Sequence, residues 1–322
     1  MTLLLSVVMP TYNGEEFIAT ALASLRDQQD DRIEIVVVDD GSSDRTLDIV
    51  HGFEDVLTIR LITPGRVGNW VAVTNLGLRE AAGDWVCLLH QDDFWLPGRL
   101  KRLRKEMASC DGALIVHDAL YVGPDGRRLG PWTCPLTEGR VPSDLFIERL
   151  LIQNFIAIPC PVFRRNAVID SGGLDEKLWF SADWDLWLRL GALGPVQFVG
   201  EPLGAFRIHP ASQTVARKLQ ANEWEEQLTT VLERHLKSWP ATGRLRTAVE
   251  RVALASIQVN SALAAASRGE AVRPVAVLQQ LLALGPSGWH RYLRDSRIVQ
   301  RVRSRLRVQR LREKTPNSDR ES

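Results

Sequence analysis

Short, almost purely apolar runs recur along the first part of this chain, and a stretch with helical spacing follows most of them. Leu3–Met9 ends at Pro10, and Ile33–Val38 runs into Asp39; Thr58–Ile62, Trp85–Leu89 and Ala113–His117 continue the series. Between them, Glu16–Arg26 places Phe17, Ala21, Leu22 and Leu25 on one helical face. Asp44–Val50, Val71–Ala81 and Pro97–Ala108 also read as helices, the first with Asp44 as its cap. Runs of Val, Ile and Leu without polar alternation are strands buried on both faces, and intervening helices make parallel crossovers. The pattern predicts an α/β fold: a mostly parallel central sheet flanked by helices.

Further on, Pro124-Asp125-Gly126 signals a hairpin turn. Asp144–Gln153 reads as a helix, Ile156–Phe163 as a strand, and Phe180–Leu193 as a helix apolar on nearly every side. Val196–Val199 and Leu203–Ile208 read as two closing strands. From about Val215 the pattern is helical, with breaks at Pro240, Gly269, Pro274 and Gly285-Pro286. The expected division is an α/β domain over 1–215, a helical C-terminal region over 216–314, and a disordered polar tail over 315–322.

At 322 residues the chain can bury one large core, or one domain with a helical extension. Its net charge of +1 conceals an asymmetry. Residues 1–216 hold 20 Lys and Arg against 29 Asp and Glu, whereas the remainder holds 20 against 10. Much of that positive charge lies in Arg297, Arg301, Arg303, Arg305, Arg307, Arg310 and Arg312, interleaved with Ile298, Val299, Val302, Leu306 and Leu311. Such a basic amphipathic helix suits an anionic lipid surface, or equally a solvated helix packed by its narrow apolar stripe. Nucleic acid is disfavoured, because the α/β part is acidic and no known module occurs. Cys87, Cys110, Cys134 and Cys160 are scattered without metal spacing and read as reduced thiols of a cytosolic protein. No basic n-region precedes the first apolar run, so no signal peptide is expected, and no uncharged run is long enough to span a bilayer.

In an open α/β sheet, ligands bind beyond the carboxyl ends of the strands. Three such ends are chemically loaded here: Pro10-Thr11-Tyr12-Asn13-Gly14-Glu15, Asp39-Asp40-Gly41-Ser42-Ser43-Asp44 and His90-Gln91-Asp92-Asp93. Neither the G-x-G-x-x-G of a dinucleotide fold nor a Walker sequence is present. A Tyr ring that stacks on a base and a carboxylate that accepts from a base N–H suit a nucleoside. Taken alone, Asp39-Asp40-Gly41 is also an ordinary turn with a helix cap. Asp92 and Asp93 repel each other; a divalent metal would remove that conflict, although an exposed acidic turn is the plainer alternative.

The ordered set resembles a family 2 glycosyltransferase with the GT-A fold. The resemblance rests on Ser6 to Asn13, Val36 to Asp44, Asn75-x-Gly77, Ala82-Gly83-Asp84 and Gln91-Asp92-Asp93. It continues through Gly172 to Glu176, Ala182 to Arg189, and Phe206 to Pro210, together covering roughly residues 4–215. It implies a GT-A domain with Pro10, Thr11, Tyr12 and Glu15 around the base and Asp39 or Asp40 on its N3–H. Asp92 and Asp93 match the acidic motif that binds ribose and a Mg²⁺ or Mn²⁺ on the diphosphate, with His90 where many members have Asp. His209, in Arg207-Ile208-His209, corresponds to a His near the metal or diphosphate, and the Arg-x-His arrangement suits a diphosphate.

Asp183 aligns with the family's catalytic base, although Ala182 stands where Glu is common. Asp183 and Asp185 lie about 200° apart around a helix and so face different ways. Asp185 has Arg189 four residues on, a ready ion pair, which leaves Asp183 for the acceptor. A carboxylate favoured by a helix N-terminus is the structural alternative for Asp183.

The implied activity is inverting, metal-dependent transfer from a UDP- or dTDP-sugar to a saccharide or lipid-linked saccharide hydroxyl. It would take place in the cytoplasm, at the inner face of the membrane if the basic helix binds lipid. The alternatives are a sugar nucleotidyltransferase, which would call for a Gly-rich basic loop after the first strand, and a catalytically inactive nucleotide-sugar-binding or scaffold protein.

Overall fold

The computed structural model describes residues 4–30, 32–209, 221–267 and 274–303. One ten-stranded mixed sheet forms the centre of the described residues. Strands β1 (Leu5–Thr11), β2 (Ile33–Asp39), β3 (Ile59–Ile62) and β4 (Trp85–Leu88) make its wholly parallel half, in the order β3-β2-β1-β4. Helices α1 (Ile18–Arg26), α2 (Thr46–His51) and α3 (Trp70–Glu80) are the crossovers that the apolar runs predict. Thr11 pairs with Asp39, and Val8 with Leu88, so β1, β2 and β4 all deliver their following loops to one rim.

The other half begins with β5 (Phe94–Trp95), α4 (Arg99–Ser109) and β6 (Leu114–Val122). β7 (Arg128–Trp132), β8 (Gly139–Val141), α5 (Ser143–Ile152), β9 (Val162–Arg164), α6 (Arg165–Asp170), α7 (Ala182–Ala192) and β10 (Val196–Arg207) complete it. Antiparallel β9 joins the two halves between β4 and β6, and β10 pairs with β6 in parallel. Most paired residues therefore lie in parallel ladders, as expected, and the Pro124-Asp125-Gly126 turn does connect β6 to β7.

Two elements differ from the sequence-based expectation. The two closing strands are one long β10, whose register against β6 shifts on either side of Pro202, where the ladder lacks an N–H. The strand expected over 156–163 shortens to β9, because Pro159 and Pro161 withhold donors from the segment before it.

Alternation along each central strand divides the core. Leu5, Val7, Met9, Ile35 and Val37 pack toward α1 and α4, while Val8, Val36, Val38, Val86 and Leu88 face the opposite cluster with Phe146, Trp184 and Trp187. All are essentially unexposed, each contributing roughly 1.5–3 kcal/mol of burial. On that second face, α3 lies so close to the sheet that a Cβ on Gly77 would come within 2.5 Å of Val8 Cγ1.

Helices α8 (Ala221–Ser238), α9 (Gly243–Ser267), α10 (Pro274–Ala283) and α11 (Gly285–Ser296) follow. Leu228, Val231, Leu232, Val249, Val252 and Ile257 join the same cluster as Phe146, Leu150, Trp184 and Leu188, so the C-terminal helices and the sheet share a core. The boundary expected at 215/216 and the tail over 315–322 lie outside the described residues. So do Arg305, Arg307, Arg310 and Arg312. Arg297 is the left-handed C-cap of α11 and donates to the Cys134 carbonyl at 3.1 Å, and Arg301, in the helical residues that follow, donates to Gln153 and Asn260. These hydrogen bonds turn both arginines into the protein. No described helix is long and apolar enough to cross a membrane.

Candidate active site

The loops after β1 and β2 are latched together. Asn13 N–H donates to Ser42 Oγ at 2.9 Å, Ser43 N–H donates to Asn13 Oδ1 at 2.9 Å, and Gly14 N–H donates to Thr46 Oγ1 at 2.7 Å. Glu15 belongs to this latch: its carboxylate accepts from Arg45 N–H at 3.1 Å. Asp44 accepts from Thr46 N–H at 3.0 Å but stands one residue ahead of the α2 N-cap, which is Arg45 rather than the expected Asp44. Gln91 ties in the loop after β4 by accepting from Tyr12 N–H at 2.8 Å and donating to Tyr12 C=O at 3.0 Å. A Cβ on Gly14 would fall 2.5 Å from the Gln91 side chain, so only glycine permits this approach.

Pro10 and Thr11 are buried at the end of β1, and the Tyr12 ring emerges at the rim. Thr11 Oγ1 donates to Asp39 Oδ2 at 3.0 Å, and Ser42 donates to Asp39 from N–H at 2.8 Å and from Oγ. Asp39 is thereby consumed within the latch. Asp40 accepts from Gly68 N–H at 3.0 Å, from Val67 N–H and from Arg66. The Arg66 guanidinium lies 3.8 Å from the Tyr12 ring centroid, on a face where a base could stack. Arg66 carries no motif signal; its only mark in sequence is its place between Gly65 and Gly68.

The acidic pair splits its functions. Asp92 Oδ2 lies 2.9 Å from His209 Nε2, and the Asp92 side chain keeps 22% exposure. Asp93 turns inward, 2% exposed, where Oδ1 accepts from Arg207 N–H at 2.9 Å. Its Oδ2 has no hydrogen-bond partner among the described residues. Burial, reinforced by the Asp92 charge, pushes the Asp93 carboxyl well above the usual range. Burial acts on Asp92 in the same sense, but the His209 hydrogen bond and the imidazoles of His90 and His209 bring it below its ordinary value. Arg207 does not face the rim as a diphosphate ligand would. Its Nε donates to Asp92 C=O at 2.8 Å and its Nη1 to the Gly123 and Pro124 carbonyls at 3.1 and 2.6 Å, which fastens β10 to the acidic loop.

Asp92, Asp93 and His209 are the residues expected to hold a metal. Among the described residues, no three His, Cys, Asp or Glu side chains converge as such a group, since Asp93 is turned away. The pair Asp92 and His209 nevertheless fits a divalent ion, because such ions are commonly held by one or two protein groups plus substrate phosphates. The His209 Nδ1 atom, buried without a partner, marks this spot as one whose polar atoms are incompletely satisfied.

Trp70 connects this station to α7. Its ring meets His90 edge-on with centroids 5.3 Å apart, and its indole N–H donates to Trp179 C=O at 2.8 Å, just before α7. Asn75 secures the same segment, accepting from Leu174 N–H and donating to Leu174 C=O, both at 2.9 Å. Trp70 thus ties His90, two residues before Asp92, to Trp179, four residues before Asp183 in the first turn of α7. The Asp183 carboxylate is partly exposed and accepts from Asn154 Nδ2 at 3.0 Å and from Trp184 N–H at 2.7 Å. Burial lifts its pKa to about 6.

Asp185 faces the other way and is fully buried. It accepts from Arg189 Nε at 2.9 Å and Arg234 Nη1 at 3.0 Å, and lies 2.9 Å from His235 Nε2. Burial would raise its pKa, but the His235 hydrogen bond and the Arg189 charge outweigh that and hold it at about 2. Against an ordinary 3.8, that depression contributes stability present above about pH 3.8 and lost as pH falls toward 2. Asp185→Asn is expected to cost about 3 kcal/mol, the low end for a buried pair because Arg234 is partly solvated. Urea denaturation at pH 7 checks this, and the deficit should shrink at pH 3.

The model of the family described as glycosyl transferase family 2 matches residues 6–172, just over half of the chain. The chain belongs to glycosyl transferase family 2. This glycosyltransferase is 26% identical over 236 residues to an uncharacterized glycosyltransferase of Rickettsia typhi, covering 69% of each. It is 36% identical over 222 residues to the succinoglycan biosynthesis protein ExoO of Rhizobium meliloti, covering 66% of this chain and 62% of that one. The crystal structure of S. aureus TarS 1-349 in complex with UDP-GlcNAc shares the fold with a TM-score of 0.68 at 18% identity, over 97% of this glycosyltransferase and 92% of that chain. The mannosyltransferase PcManGT from Pyrobaculum calidifontis, in complex with GDP-Man and Mn²⁺, aligns with a TM-score of 0.50 at 16% identity, over 96% and 88%. Family membership decides for glycosyl transfer over the nucleotidyltransferase alternative.

Proposed function

We propose that this glycosyltransferase is an inverting, metal-dependent enzyme that moves a sugar from a UDP- or dTDP-sugar to a saccharide or lipid-linked saccharide hydroxyl. The observation that carries the reading is an ionised, His209-paired Asp92 together with a partly exposed Asp183 whose pKa is raised to about 6, in two segments that Trp70 ties together. A group poised near neutrality is what a general base requires. The nucleotide-sugar complexes of TarS and PcManGT support the donor class, and the Mn²⁺ in the latter supports the metal.

In this reading the base takes the Tyr12 face that Arg66 covers, with Asp40 within reach once Arg66 gives way. Asp39, Thr11 and Glu15 act by holding the β1 and β2 loops in register. Asp92 and His209 would hold the metal; the imidazole beside a carboxylate suits Mn²⁺ better than Mg²⁺, which prefers oxygen ligands. When bound, it would supply charge neutralisation at the nucleoside diphosphate. Asp183 takes the proton of the acceptor hydroxyl as its oxygen attacks the anomeric carbon on the face opposite the leaving group. Polysaccharide assembly is the natural context, since ExoO is a succinoglycan biosynthesis protein.

The test is calorimetric binding of UDP with and without Mn²⁺, followed by a panel of UDP-glucose, UDP-galactose, UDP-N-acetylglucosamine and a dTDP-sugar, read as released nucleoside diphosphate. Metal-dependent binding and turnover of one sugar are expected. Absence of nucleotide binding under both conditions removes the reading in favour of a scaffold.

A further inference from the structure

Asn154, which donates to Asp183, follows a residue gripped by the C-terminal helices. Gln153 Oε1 accepts three hydrogen bonds: from Ser256 Oγ at 3.0 Å, Asn260 Nδ2 at 2.8 Å and Arg301 Nη1 at 3.0 Å. Arg301 Nη2 also donates to Asn260 Oδ1 at 2.8 Å, which closes the cluster. Three donors on one amide oxygen fix which way the amide points, so Nε2 is left to donate to Asn154 C=O at 3.1 Å. Asn154 is therefore held on both sides. Its carbonyl is taken by Gln153, its Oδ1 accepts from Ile156 N–H at 3.2 Å, and its Nδ2 is directed at Asp183 Oδ2.

A surface loop would not need this apparatus. Ser256 and Asn260 lie on one face of α9 at i and i+4, and Arg301 reaches from beyond α11 to the same point. Ser256 is 1% exposed, so its hydroxyl has no competing solvent. The neighbouring loop is gripped too: Arg297 donates to Cys134 C=O, and Gln300 Oε1 accepts from Thr133 N–H at 3.3 Å. Part of the C-terminal region thus closes around the segment that carries Asn154 and the loop of Thr133 and Cys134.

We propose that Gln153, locked by Ser256, Asn260 and Arg301, is a positioning residue that orients Asn154 and through it the Asp183 carboxylate, so that the C-terminal helices set the geometry of the catalytic base. The proposal rests on Asp183 being that base. Gln153 touches neither substrate nor Asp183. Its effect is on the direction of the acceptor-facing oxygen, and small displacements of such a group cost up to about 100-fold in rate.

The experiment uses the full-length chain and the sugar nucleotide that the donor panel turns over fastest. Gln153→Leu is expected to lower kcat about 10- to 100-fold, with KM for the donor and Kd for UDP within about two-fold of wild type. Arg301→Met should lower kcat several-fold in the same pattern, with Arg301→Lys restoring most of it. In an Asn154→Ala background, Gln153→Leu should have no further effect, because the relay is already cut. Both groups that donate to Asp183 are neutral, so loss of the Asn154 bond should also move the acid limb of the kcat profile upward.

Wild-type kcat in both Gln153→Leu and Arg301→Met overturns the proposal, and so does a fully additive effect with Asn154→Ala. If Gln153→Leu does not fold, the Arg301 pair and its cycle with Asn154→Ala decide between the two outcomes. An active Asp183→Asn enzyme would instead remove the underlying base assignment, a result distinguishable from either of these.

Discussion

Asp183→Asn is expected to lower kcat by about 10²–10⁴-fold while leaving UDP affinity unchanged. The amide preserves the shape of the side chain and keeps one acceptor oxygen, enough for Asn154 Nδ2 or Trp184 N–H but not both, and it has no basic lone pair for an acceptor proton. The Asp183 carboxyl titrates at about 6, so in the wild type kcat should be flat above pH 7 and fall about ten-fold per unit well below 6. The sign follows from the role: a base must be deprotonated to accept, and the protonated fraction grows as pH drops through the pKa. In Asp183→Asn that limb should vanish along with the activity. Initial-rate pH profiles with a fixed donor, beside calorimetric UDP titrations, check both parts. Full activity in the variant removes Asp183 from the reaction.

The second large effect separates two adjacent aspartates. Asp92→Asn is expected to lower kcat/KM by about 10³-fold and abolish stimulation by Mn²⁺, because in the proposed reading the partly exposed, ionised carboxylate paired with His209 is the group that would meet a metal-bound diphosphate. Asp93→Asn should retain most activity. Its Oδ1 accepts a hydrogen bond from Arg207 N–H, which an amide oxygen accepts equally well, and its partnerless Oδ2 gains nothing from charge. Asp93→Ala is a different matter. It orphans the buried Arg207 N–H and should cost about 1–3 kcal/mol, seen as a lower melting temperature with activity lost through instability. The three variants, compared by initial rates across Mn²⁺ concentrations and by thermal melting, test the division directly. Equal loss of metal stimulation in Asp92→Asn and Asp93→Asn would show that both carboxylates reach the ion.

Much of the molecule was legible in the residue pattern. The unbroken apolar strands could only be buried on both faces, which dictates helices on each side of a parallel sheet. Loaded strand ends then collect on one rim, because parallel strands all finish there. Asp185 was separable from Asp183 by helix geometry alone, and the Arg189 pair is where i, i+4 spacing puts it. Other features left no local trace. Glu15 and Asp39 read as nucleotide ligands, yet their partners Arg45, Thr11 and Ser42 make them parts of a latch. Arg207 read as a diphosphate group, but three carbonyls from two loops, Asp92 in one and Gly123 and Pro124 in the other, capture it. Arg297 and Arg301 read as a surface stripe, while the acceptors they serve lie more than a hundred residues earlier in Cys134 and Gln153.

Residue order was enough to specify the α/β sheet, the rim at which chemistry collects and membership of glycosyl transferase family 2. These depend on hydrophobic period and strand direction, which are properties of neighbouring residues. The folded chain was needed to show which carboxylate of the Asp92-Asp93 pair turns inward, which side chains bond Asp183, and where Arg297 and Arg301 point. Consecutive side chains in a tight turn diverge, and the direction each takes is set by donors such as His209 and Arg207, more than a hundred residues away.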